Sequence, residues 1–78
     1  MNATERADWI KRMKEQNRYA EMTTTLKKGQ NEHDVCNEMR KQIYAEYSPM
    51  WVKSWNHYPK FGNPIVIVAF VTKEAMGV

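Results

Sequence analysis

The residues best equipped for chemistry are few and loosely spaced. Cys36 lies three positions after His33, with Asp34 between them and His57 further on. A thiol near an imidazole is the raw material of a nucleophilic pair or of half a zinc site. A structural zinc site takes four nitrogen or sulfur ligands, and the chain holds one cysteine and two histidines. A nucleophilic cysteine also needs a lowered pKa and an oriented base, which spacing alone does not supply. Cys36 follows Val35 and precedes Met39 by one helical turn, so it reads more simply as a small apolar core residue. Glu32, Asp34, Glu38 and Glu46 fall on the polar side of one amphipathic segment. A carboxylate pair for acid–base work needs a cleft that a domain this small rarely encloses. Gly29, Gly62 and Gly77 stand apart, which excludes a glycine-rich phosphate cradle. The expectation is a non-enzyme without metal, cofactor or small-molecule substrate.

Aromatic and basic side chains offer binding chemistry instead. Trp51, Trp55, Tyr58 and Phe61 form the densest aromatic group, interleaved with Lys53, His57 and Lys60. Such a mixture suits an interface hot spot or a base-stacking platform. It equally suits a packed core, the commoner fate of aromatics at helical spacing. A second group, Lys11, Lys14 and Arg18, repeats at i, i+3 and i+7, with Arg12, Lys27 and Lys28 nearby. These residues could contact phosphates, or simply form a solvated face tempered by Asp8, Glu15 and Glu21. No helix-turn-helix, zinc-finger or RNA-recognition signature accompanies them.

The charge distribution places any anionic partner near the N-terminal third. The net charge is +3 at pH 7, well short of a dedicated DNA-binding surface. Residues 1–30 carry seven Lys/Arg against four Asp/Glu, residues 31–47 two against four, and the remainder three against one.

These residues must be positioned by short elements. A helix is expected from about Ala3 to Arg18, opened by an Asn2–Glu5 capping box. Residues 18–28 are ambiguous between helix and strand. Three successive threonines, Thr23 to Thr25, favour strand through their stiff χ1. That strand would set Ala20, Met22, Thr24 and Leu26 on one face. Gly29 with Gln30 and Asn31 makes a turn, and Asn31 caps a second helix with Glu32 and Asp34 in its first turn. Val35, Met39, Ile43 and Tyr47 repeat every four residues along it, and Ser48-Pro49 ends it. The same pair is a start signal, so a short third helix is expected from about Pro49 to His57. It would place Trp51, Trp55 and Tyr58 on one side. An irregular loop leads to a strand over Ile65–Thr72. Lys73 to Val78 is left as a frayed end or one further helical turn.

The chain has 78 residues, one small domain whose folding buries only about 60% of the unfolded surface. A lone thiol and a polar N-terminus without a signal sequence point to a reducing, cytoplasmic setting. The longest apolar run, Ile65–Val71, is far short of the ~20 residues of a membrane-spanning helix. That run is apolar on both faces, and two strands alone make a marginal sheet. Covering another 200 Å² or so of apolar area would add about 5 kcal/mol, so a homodimer or obligate complex is expected.

The fold class is therefore α+β: two main helices and a short third packed on a small sheet, completed by a partner copy. The chain matches no family motif. Its size and methionine content are those of many virus- and plasmid-encoded regulators, an expectation without a residue behind it. The leading function is a protein that regulates or inhibits a partner protein by stoichiometric binding, through Trp51, Lys53, Trp55, Tyr58, Lys60 and Phe61. The alternative is a nucleic-acid-binding module using Lys11, Lys14, Arg18, Lys27 and Lys28.

Overall fold

A computed structural model of the chain describes residues 1–77. The elements run α1 (Ala3–Glu15), β1 (Tyr19–Thr25), α2 (Glu32–Tyr47), β2 (Trp51–His57) and β3 (Ile65–Val71). The class is α+β, with a three-stranded antiparallel sheet in the order β1-β3-β2.

Local chemistry sets most element ends. The Asn2 side chain accepts a hydrogen bond from the Glu5 N–H at 2.8 Å, an N-cap bond, and its amide also donates to the Glu5 carboxylate at 3.4 Å. α1 stops three residues earlier than its basic stripe suggests. Asn17 takes a left-handed conformation with φ 57°. The Asn17 N–H donates to the Lys14 carbonyl and the Arg18 N–H to the Met13 carbonyl, which is a Schellman close with asparagine in the usual glycine place. Arg18 thereby leaves the helix. Asn31 caps α2 by accepting from the N–H groups of His33 and Asp34. Gly29, at φ 88°, supplies the positive φ of the turn closed by the Gln30 N–H and the Lys27 carbonyl.

Pro49–His57 is not a helix. Ser48 ends α2 in the left-handed region, so Ser48-Pro49 acts only as a stop. From Trp51 onward the chain pairs along its whole length with β3, Trp51 opposite Val71 and His57 opposite Ile65. Trp51, Lys53, Trp55 and His57 thus share one face of a strand, with Val52, Ser54 and Asn56 on the other. Val52 and the two tryptophans also suit a pleated surface better than a helix. Among the described residues there are two helices, and residues 73–77 add none; Val78 lies outside the described residues.

The apolar strand has more cover than its neighbours in sequence suggest. β3 is central, bonded to β1 on one side and β2 on the other. On one face Val66, Val68 and Phe70 pack with Leu26 and with Met39 and Ile43 of α2. Ala20 and Met22 of β1 and Val52 of β2 border this core, as the alternation in β1 requires. The opposite face is covered at one end by α1. Trp9 meets Trp51 on β2, while the Lys14 ammonium sits over the Tyr19 ring on β1, so the helix crosses above the strands. Ala69 and Val71 beneath it are fully buried. Five of the seven β3 residues are therefore enclosed within one copy, and only Ile65 and Ile67 stay half-buried. Edge-to-edge pairing of β3 with a second copy is closed off, and the shortage of cover that led us to expect a homodimer largely disappears.

Candidate binding edge at β2

β2 is an edge strand whose pairing with β3 leaves its outer side free. Its register decides which aromatic residues meet solvent. Trp51 lies in the row under α1, half-buried and edge-on to Trp9 at 5.8 Å. Trp55 lies four positions on, opposite Ile67 and beyond the reach of α1, and is 39% exposed. The β2–β3 connection then carries Tyr58 and Phe61 at 64% and 84% exposure. Lys53 and Lys60 are exposed on the same stretch, with the Lys60 ammonium 5.8 Å from the Phe61 ring. Of the six expected partner-binding residues, five are exposed along β2 and the connection that follows it. The fold assigns Trp51 to packing.

α2 braces this edge from the other face. The Glu32 carboxylate accepts hydrogen bonds from Asn56 Nδ2 at 2.9 Å and from the Tyr58 hydroxyl at 3.0 Å. One exposed side chain thus ties the start of α2 to the end of β2 and fixes Tyr58. Further along, Arg40 Nη1 lies 3.4 Å from Ser54 Oγ. Tyr44, one turn on from Arg40 and on the same helix face, is 51% exposed. Arg40, Tyr44 and the Glu32 link were missed in the sequence because β2 was read as helix. Trp51, Val52 and Trp55 are the apolar residues of 51–57, a spacing with no clean period of two, so the sequence carried no decisive strand signal there.

The basic residues of the nucleic-acid reading do not form one patch. Lys11 and Lys14 belong to α1, and Arg18 sits at the start of β1. Arg18 is half-buried and committed to structure: Nε donates to the Thr72 carbonyl at 2.9 Å and Nη1 to Gln16 at 3.0 Å. Lys27 and Lys28 follow the far end of β1, separated from the others by a strand about 20 Å long.

The candidate chemical groups are likewise dispersed. His33 and Cys36 do share a shallow recess of about 210 Å³ with Glu32, Ser54, Trp55 and Asn56. His57 projects from the opposite face of the sheet, opposite Ile65. Cys36 is half-buried against the core formed by Met39, Ile43 and Val66, in keeping with a packing role. Among the described residues no three metal-ligating side chains converge. A groove of about 520 Å³ lies along the other edge between β1 and α2, with Asp34 and Glu38 at its rim and Val35 and Met39 at its floor.

One pKa shift stands out. The Tyr19 hydroxyl is pushed up to about 12, first by burial and then by the Glu21 carboxylate, to which it donates at 3.0 Å. Tyr19 lies on β1, away from the β2 edge.

The chain matches no protein-family model, no curated protein and no solved structure. No described helix is long and apolar enough to cross a membrane.

Proposed function

We propose that this chain is a non-enzymatic binding protein that regulates or inhibits a partner protein by forming a stoichiometric complex. The observation that carries the reading is the line of exposed aromatic side chains, Trp55, Tyr58 and Phe61, on one edge strand and the connection that follows it. Large rigid side chains standing free in water are costly unless something covers them, and aromatic residues dominate interface hot spots. Lys53 and Lys60 on the same stretch give that surface a positive rim. A lone thiol fits work in a reducing compartment such as the cytoplasm.

The test is affinity capture from a native lysate with the full chain, in nuclease-treated and untreated samples, followed by alanine substitution. Trp55→Ala, Tyr58→Ala and Phe61→Ala should each weaken capture of the recovered protein by more than about 1 kcal/mol. Unchanged binding in all three removes the proposal. Recovery that depends on nucleic acid, with affinity falling steeply in salt, would restore the nucleic-acid reading in its place.

A further inference from the structure

The exposed large hydrophobic residues are unevenly placed. They are Met1, Tyr44, Tyr47, Met50, Trp55, Tyr58 and Phe61, and none lies on β1 or on the turn that follows it. Met50 precedes β2 and shares a pocket with Met1, Trp9 and Trp51. Tyr58 and Phe61 follow β2, Trp55 stands on one face of it, and Tyr44 lies one turn beyond Arg40 on α2. Basic groups also stand along β2. Arg6 lines the pocket at the start of β2, Arg40 reaches its midpoint at Ser54, Lys53 stands on it, and Lys60 follows it. Glu32, an acid at this edge, has its carboxylate already accepting from Asn56 and Tyr58.

We infer that the free edge of β2 takes an acidic, extended peptide segment of the partner as a fourth strand, with carboxylates of that segment on Arg40 and Lys53 and a large apolar side chain on Trp55. This rests on the binding role proposed above and names the chemistry of the partner. An edge strand offers a row of unpaired N–H and C=O groups that an extended peptide can complete. Cross-strand neighbours share a face. The guest residue opposite Ser54 therefore meets Arg40, and the residues on either side of it meet Lys53 and Trp55. The pattern is three consecutive positions reading acid, acid, apolar in one direction or the other. A second copy fits less well. Antiparallel pairing of β2 with itself would centre on Ser54, because that residue is the middle of Trp51–His57. The two Arg40 guanidinium groups would then be brought together at the axis, where like charges oppose association.

The test uses the full chain and a labelled peptide of alternating valine and threonine with a central Glu-Glu-Phe triplet. Its Lys-Lys-Phe counterpart and an oligothymidylate serve as competing probes. Expected are one-to-one binding of the acidic peptide and slowed amide exchange across Trp51–His57. Arg40→Gln and Lys53→Gln should each weaken binding about three- to tenfold, while Lys73→Gln leaves it unchanged. Arg40→Gln keeps a donor for Ser54, so the strand stays braced. Equal affinity for the basic peptide, unprotected β2 amides, or no binding at about millimolar peptide overturns the inference. Competition by oligothymidylate, or β2 amides already protected in a concentration-dependent dimer, overturns it too. Should Trp55→Ala and Phe61→Ala abolish capture of the partner while β2 amides stay unprotected, the partner docks through side chains alone. The strand-addition inference then falls and the binding role stands.

Discussion

Trp9 meets Trp51 edge to face, with ring centroids 5.8 Å apart and planes at 74°. That contact pins α1 across the sheet and withdraws two of the three tryptophans from solvent. It is the reason Trp55, four residues along the same strand, is the one left more exposed. The arrangement is the favoured T-shaped geometry of aromatic pairs.

Removing either ring should loosen α1 from the sheet. Trp9→Ala and Trp51→Ala are each expected to cost about 2–3 kcal/mol, below the ~3–5 kcal/mol of a fully buried ring because both are half-buried. The double mutant should fall short of the sum by about 0.5–1.5 kcal/mol. Urea denaturation of the four proteins of the cycle measures this, and strict additivity would mean the rings do not interact.

Phe61 presents the opposite case. It is 84% exposed, so Phe61→Ser should leave the urea midpoint unchanged within about 0.5 kcal/mol. The same substitution should weaken partner capture. A large loss of stability would show that Phe61 packs against its own chain.

Ser48 holds φ 46°, a region where a Cβ is strained and glycine is not. Ser48→Gly should therefore stabilise the protein by about 0.5–1 kcal/mol, after discounting the added freedom of the unfolded chain. A thermal melt reads the sign directly, and a lower midpoint would contradict the left-handed cap.

Tyr19 links stability to alkaline pH. Its folded pKa, pushed up to about 12, lies above the ordinary 10.0, so the folded state holds its proton where the unfolded state releases it. The contribution of Tyr19 to stability is fully present below pH 10 and is lost as pH rises from about 10 through about 12. Glu21→Gln removes the negative charge beside the hydroxyl. It should lower the Tyr19 pKa while leaving it above 10.0, since burial is the larger cause. A carbon-13 tyrosine NMR titration of both proteins checks the shift.

What the sequence determined by itself is whatever neighbours in the chain can decide. Asn2 and Asn31 cap their helices through side chains that reach only two or three residues ahead. The threonine run and the β-branched run Ile65–Val71 are strands because their own χ1 preferences say so. Gly29 turns because nothing else tolerates its φ cheaply. Residues 49–57 are different. Trp51 and Trp55 are four apart, which fits one face of a helix and also, as an even spacing, one face of a strand. Their neighbours in sequence cannot break that tie. β3, joined to β2 by a seven-residue loop (Tyr58–Pro64), breaks it by offering a full ladder of hydrogen bonds and an apolar surface on both faces. Which tryptophan is buried was likewise decided at long range, by where α1 crosses the sheet. The binding edge depends on both outcomes: non-local pairing made β2 a strand, and the limited span of one short helix left half of that strand uncovered.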